Sequence, residues 1–462
     1  MTTFREETDT LGAVQIPATA LWGAQTERSR HNFPNGPLMP VAVIRALLQI
    51  KQAAAEVNQE LETLSPAKSI VISQAVRQLL ALDDEHLMAD FPLHVYQTGS
   101  GTQTNMNVNE VLAHVAAKIS PETPVLPNDD INQSQSSNDT FPTAMAIAAS
   151  LALKPVITET QALIAALTVK EKKYWRTVKI GRTHLQDATP LTFGQEVSGW
   201  ISMLQHDCDY LMQLAPTLLE LPLGGTAVGT GLNTQPDFAN KAIALLAGTY
   251  QLDFVPTPNN FAGLAAHSGL TVVHGALKTL AMDLVKIGND IRFLASGPRA
   301  GYGELTIPAN EPGSSIMPGK VNPTQIEALT MAAARVLGND TTIGFAASQG
   351  NFEMNVYKPV IIDAFLESTT LLSGTVAGLS TKLVAGLTVN KTRMRELVDQ
   401  SLMTVTALSP HIGYHHAAEI AQLAEKDEST LRVAALKSGY VTATDFDHWV
   451  DPLKMTNIER QD

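Results

Sequence analysis

The densest run of chemistry-bearing side chains lies between Gly313 and Glu327, GSSIMPGKVNPTQIE. There Ser314, Ser315, Lys320, Val321 and Asn322 occupy a Gly/Pro-punctuated loop that feeds into a predicted helix. Asn322 suits an N-cap, Pro323 the first helical position, and Gln325 the capping-box spacing. Lys320 then adds a full positive charge to the positive end of that helix. Orphan N–H groups and the macrodipole there attract anions, so the loop reads as a carboxylate-binding site. Glu327 falls about one turn inside the helix.

Three further segments share this character. In TGSGTQTNMNVNE, Ser100, Gly101 and Thr102 precede a predicted helix, and glycine permits close backbone approach. In NQSQSSNDTFPTA, Ser136, Ser137 and Asn138 stand before another, with Pro142 expected in its first turn. In GRTHLQDATPLTFGQE, Thr183 and His184 are expected just before a third. His184 is the best acid/base candidate among the twelve histidines, because a polar loop can orient and hydrate an imidazole. Glu327 on the anion-site helix could supply the carboxylate that fixes its tautomer.

Competing motifs fail on spacing. Gly313 and Gly319 enclose five residues where a P-loop needs four, and Val321 stands where the magnesium-holding hydroxyl belongs. GGTAVGTG, Gly224 to Gly231, lacks the dinucleotide spacing. His411, His415 and His416 lack the further ligands of a zinc site. No metal and no cofactor are expected.

Long helices must position these residues. Periodic apolar segments run over Thr143 to Trp175, Thr192 to Leu219, Ala266 to Leu294, Pro323 to Phe345 and Asn355 to Leu387, which implies a helical bundle. Shorter amphipathic runs lie at Pro40 to Leu61 and Asn105 to Ile119. The expected division is an N-terminal mixed domain, 1–134, a central bundle, 135–390, and a small C-terminal helical domain, 391–462. Several helices are too uniformly apolar to face water on one side, so an obligate oligomer is expected.

Composition narrows the class. A 44% hydrophobic, 5% aromatic chain suits close helix packing, and a net charge of −13 excludes a broad nucleic-acid or acidic-membrane surface. It leaves room for a small anion, since exposed charges are screened beyond about 10 Å. The single cysteine, Cys208, allows no intrachain disulfide and reads as a small buried residue. MTTFREETDT lacks the apolar core of a signal peptide, and Asp363, Glu367 and Lys382 interrupt the apolar stretch Val360 to Val389, so a cytoplasmic, non-membrane protein is expected.

The motifs together resemble the class II, iron-independent fumarases of the aspartase/fumarase superfamily. The resemblance covers LWGAQTERSRHNF (Leu21 to Phe33), the four segments above, GGTAVGTG, GNFEMNVYKP (Gly350 to Pro359) and SLMTVTALSPHIGY (Ser401 to Tyr414). The GSSxMPxKxNP loop alone marks the superfamily; its NEPGSS and NPTQxEA flanks and NFEMNVYKP point to fumarase. The resemblance implies a mainly α, three-domain fold whose central long-helix bundle is shared in a homotetramer, with each active site built from three subunits. It implies the metal-free, reversible anti addition of water that interconverts fumarate and (S)-malate in the tricarboxylic acid cycle. Ser314 would take the malate C3 proton, and His184, oriented by Glu327, would act through water on the C2 hydroxyl. Ser100, Gly101, Thr102, Ser136, Ser137, Asn138, Thr183, Ser315, Lys320, Val321 and Asn322 would bind the carboxylates. A second, non-catalytic dicarboxylate site would fall at Leu126, Pro127, Asn128 and Asp129, where many relatives have His-Pro-Asn-Asp and this chain has lost the imidazole. A serine is a poor base without stabilisation of its alkoxide, so proton abstraction by His184 is the rival assignment. Aspartate ammonia-lyase and a catalytically silent structural homologue are the alternative functions.

Overall fold

The computed structural model describes residues 3–458 and is mainly helical. All five long segments form helices: Ser137–Tyr174, Phe193–Leu214, Ser268–Leu294, Thr324–Ala347 and Lys358–Gly378. A 3-10 turn, Ala215–Leu218, extends the second, and a π-helical run, Leu379–Val384, extends the last. The shorter amphipathic runs are the helices Val41–Glu60 and Thr102–Ile119. The helices Ser137–Tyr174 and Lys358–Val384 are long and apolar enough to cross a membrane; 61% and 44% of their most apolar windows are buried inside the chain. Cys208 is buried within the second long helix.

Strands are few, and the two longest pairings are hairpins. Phe4–Asp9 pairs antiparallel with Gly12–Pro17, and Val178–Thr183 with Gln186–Thr192. The second hairpin corrects the expectation that Thr183 and His184 immediately precede a helix. Thr183 pairs with Gln186, so His184 and Leu185 form a two-residue turn, both with positive φ (56° and 60°), and the helix starts only at Phe193. Such a turn matches the right-handed twist of the strands that flank it. The hairpin is anchored from below: Arg182 donates to the fully buried Glu304 at 2.5 Å and stacks on the Tyr302 ring, and Lys179 lies 3.5 Å from Glu304.

Two compact units are distinguished by their internal contacts. One comprises Met1–Ile157, Asp209–Ala281 and Ala332–Leu372, the other Thr158–Cys208, Met282–Met331 and Ser373–Asp462. The boundaries fall inside the five long helices. Toward the C-terminus a separate apolar cluster gathers Leu408, Ile420, Leu431, Val441 and Phe446.

Candidate active site

In the first unit two hydroxyl-rich helix starts are bonded together. Gly101 adopts the left-handed region at φ 78° and caps the Thr102–Ile119 helix, and a Cβ there would lie 2.2 Å from the Phe141 ring. Ser100 Oγ and Thr102 Oγ1 are 2.8 Å apart. Ser136 starts the Ser137–Tyr174 helix: its carbonyl accepts from Thr140 N–H, its Oγ from Asn138 N–H, and its own N–H donates to Asp139 Oδ1 at 2.9 Å. That reciprocal pattern is a capping box with aspartate in the returning position. Pro142 falls in the second turn, one turn later than expected.

Asn105 joins the two starts. Its Nδ2 donates to Ser137 Oγ at 3.1 Å, and its Oδ1 accepts from Thr140 Oγ1 at 3.2 Å. Asp139 binds the glycine-rich loop, accepting from Gly224 and Thr226 N–H at 2.9 Å each, while Asn138 Nδ2 donates to the Ala227 carbonyl at 2.7 Å. GGTAVGTG therefore packs against this helix start. Burial pushes the Asp139 carboxyl up to about 6, partly offset by those N–H donors and by Lys51. Lys51 is itself pushed down to about 7 by burial, opposed by Asp139.

The NFEMNVYKP motif holds the Ser100 loop. Lys358 N–H donates to the Gly99 carbonyl at 3.0 Å, and a Cβ on Gly99 would lie 1.3 Å from the Val356 carbonyl oxygen, so only glycine fits. Lys358 Nζ, buried, donates to the Leu264 and Asn355 carbonyls, and burial lowers it to about 7. Glu110, at the end of the TGSG motif, accepts from Gly23, Gln25 and Thr26 N–H and from the Thr26 hydroxyl.

The second unit carries the loop Gly313–Asn322. Its neck is closed by Gly313 N–H to the Lys320 carbonyl at 3.0 Å and by Asn322 Nδ2 to the Gly313 carbonyl at 2.7 Å. Asn322 is therefore a loop clasp, and the helix starts one residue later than expected: the Pro323 carbonyl is the first acceptor, taking Ile326 and Glu327 N–H. Inside the loop Ser314 Oγ accepts from Ile316 N–H at 3.2 Å and Met317 N–H at 3.0 Å. Ser315, Lys320 and Val321 are exposed, as are Thr183, His184 and Glu327. Within one chain the His184 ring makes no hydrogen bond to any described residue, nor does the Glu327 carboxylate.

The Leu126–Asp129 segment forms the start of a one-turn π-helix, Pro127–Ile131, with Leu126, Asn128 and Asp129 exposed. Asp130 shapes it, accepting from Leu126 N–H at 2.8 Å and Lys68 Nζ at 2.7 Å. His411 and His416 stack on Trp449 and Tyr440.

Known proteins carry related sequences. Residues 12–338 match the lyase family model, and residues 405–457 match the fumarase C C-terminus. The class II fumarate hydratase of Listeria monocytogenes is 55% identical over 98% of this chain and 100% of its own. The chain belongs to the class II fumarate hydratases. The Nitrosomonas europaea class II fumarate hydratase is 54% identical over 99% of this chain and 100% of its own. The crystal structure of the Schistosoma mansoni class II fumarase superimposes with a TM-score of 0.93 at 40% identity, covering 98% of this chain and 99% of that one. This class II fumarate hydratase is a lyase of the fumarate lyase superfamily, and membership decides between the hydratase and ammonia-lyase expectations in favour of the hydratase.

Four residues with structural duties around these segments went unpredicted: Lys51, Asp139, Lys358 and Glu304. Lys51 had a signal, a lone cation at the spacing of the buried stripe Ile44, Leu47, Leu48 and Ala55. Asp139 had one too, standing three residues after Ser136.

Proposed function

We propose a specific division of labour for the hydro-lyase reaction that interconverts fumarate and (S)-malate. Ser314, as alkoxide, takes the C3 proton of malate onto Oγ. The electron pair of the C–H bond moves into the adjacent carboxylate, giving an aci-carboxylate dianion. His184, through a water, delivers a proton to the C2 hydroxyl, which leaves as water as the C2–C3 double bond forms. Glu327 orients the imidazole. The proton gained by Ser314 and the one lost by His184 balance, and the reverse sequence hydrates fumarate.

A second negative charge builds on one carboxylate during this step, so donors aimed there are more valuable than general affinity. Lys320, Asn322 and Ser315 serve that end. Ser100, Gly101, Thr102, Ser136, Ser137, Asn138, Thr183 and Val321 complete the grip on the two carboxylates. One observation carries the assignment of the base: two backbone N–H groups already point at Ser314 Oγ within the loop. Hydrogen bonds to the charged form lower the proton affinity of an oxygen, which answers the weakness of serine as a base.

The His184 ring and the Glu327 carboxylate are exposed and make no hydrogen bond to any described residue of the single chain, which supports a site completed by other copies. The proposal accordingly includes a cytoplasmic homotetramer with sites drawn from three chains, and the domains 1–134, 135–390 and 391–462. The apolar cluster from Leu408 to Phe446 supports the last boundary. The 126–129 segment, lacking an imidazole, is proposed as at most a weakened second dicarboxylate site.

Ser314→Ala tests the base. Ultraviolet detection of fumarate formed from L-malate is expected to show kcat reduced by at least about a thousandfold, with KM changed only a few-fold, the pattern of a lost transition-state function. Near-normal turnover would instead assign proton abstraction to His184.

A further inference from the structure

Beneath the two hydroxyl-rich helix starts lies a lysine that the reaction scheme does not use. Lys51, on the helix Val41–Glu60, is fully buried. Its Nζ donates to Asn132 Oδ1 at 3.1 Å and to Gln135 Oε1 at 2.9 Å. Asn132 Oδ1 also accepts from Asn105 Nδ2 at 3.0 Å and Asn109 Nδ2 at 3.2 Å. Asn105 Nδ2 in turn donates to Ser137 Oγ at 3.1 Å. Gln135 Nε2 donates to the Ile131 and Gln133 carbonyls.

We propose that Lys51 is a positioning residue for substrate binding: it sets the donor direction of this buried amide network and so leaves the Ser137 hydroxyl proton free to be donated to a substrate carboxylate. The proposal rests on the reading of Ser137 as a carboxylate ligand.

Donor counting forces the direction. The ammonium form of lysine has three N–H donors and no acceptor, so both groups it faces must be oxygens, whereas an amide can turn either end toward a neighbour. Asn132 and Gln135 must therefore present oxygen to Lys51. Asn132 Oδ1 then becomes the meeting point for the amide nitrogens of Asn105 and Asn109. Asn105, with its nitrogen drawn to Asn132 Oδ1 and its oxygen 3.2 Å from a Thr140 hydroxyl shared with the Ser136 carbonyl, presents nitrogen to Ser137. A hydroxyl whose oxygen already accepts has its single proton to give elsewhere. Remove Lys51, and Asn132 can rotate, Asn105 can follow, and Ser137 can turn its proton inward. Buried networks are sensitive to such reversals because an N–H facing an N–H has no water to rescue it.

The test is a double-mutant cycle with Lys51→Met and Ser137→Ala, read by steady-state kinetics with L-malate and with fumarate. Lys51→Met is expected to raise KM about tenfold, the worth of one hydrogen bond to a charged ligand, with kcat within about twofold. In the Ser137→Ala background the same change is expected to add nothing to KM. Damage that only lowers the folded fraction would reduce kcat at constant KM, and that result overturns the proposal. So does a KM effect of equal size with and without Ser137. If Ser137→Ala alone leaves KM unchanged, the carboxylate-ligand reading of Ser137 is what fails. Asn105→Asp provides a route that keeps Lys51: it replaces the donor facing Ser137 by an acceptor, so KM is expected to rise, and an unchanged KM overturns the proposal.

Discussion

Asp139 ties two backbone segments together, with N–H groups of Ser136, Gly224 and Thr226 converging on its two oxygens and the buried Lys51 favouring its charged form. Asp139→Asn keeps the shape but sets an NH2 against at least one of those N–H groups and removes the counter-charge of a buried lysine. The expected cost is about 3 kcal/mol in denaturant unfolding at pH 7.5. KM for malate is expected to rise as well, since Ser136 and Asn138 are fixed by the same contacts. The hydroxyls and amides proposed to face a ligand were legible in the sequence because they cluster at helix starts. The groups behind them were not: Lys51 finds its partners at Asn132 and Gln135. No local pattern links positions so far apart. Asn322 shows the converse, since its type and the following Pro suggested a cap while its amide clasps Gly313.

Among the elements, the long helices were readable because apolar periodicity persists over many turns, and only their ends shifted. The His184 hairpin was not, for a definite reason. Two-residue hairpin turns favour Asn-Gly or Asp-Gly because both central residues need positive φ, and here His184 and Leu185 adopt it without glycine. The N-terminal hairpin, by contrast, is pinned to the Thr102–Ile119 helix by side chains. His114 Nδ1 faces the Glu110 carbonyl and Nε2 faces Glu7 Oε1, both at 2.8 Å, so both ring nitrogens meet acceptors and the imidazolium is favoured. The hydrogen bond to Glu7 raises the His114 pKa above its ordinary 6.5. A raised folded-state value means the stabilisation is fully present below pH 6.5 and is lost as pH rises through that higher value. Thermal midpoints measured from pH 6 to pH 9 at one scan rate are expected to fall more steeply for the native chain than for Glu7→Gln. The gap between the two should narrow toward pH 9; parallel curves would remove His114 from the account.

At the scale of the whole molecule, the isolated chain leaves large apolar side chains in solvent along its longest helices. Met331 is 69% and Phe345 62% exposed on the Thr324–Ala347 helix, fourteen positions and close to four turns apart, hence on one face. Val272, Met282 and Phe293 are exposed along the Ser268–Leu294 helix. Exposed apolar stripes are candidate interaction surfaces, and the proposed homotetramer would cover them by closed symmetry. The same symmetry makes a sharp claim about chemistry. If Ser314 and His184 of one site come from different copies, chains carrying Ser314→Ala and chains carrying His184→Asn, each inactive as a pure assembly, should rebuild intact sites when co-expressed. Random mixing pairs an intact Ser314 with an intact His184 in about a quarter of the sites. Co-purified hybrids, separated by two affinity tags and assayed for fumarate formation, are expected to recover activity near that fraction. Separately purified assemblies combined without exchange should recover none. Hybrids as inactive as their parents would mean that both residues of a site belong to a single chain.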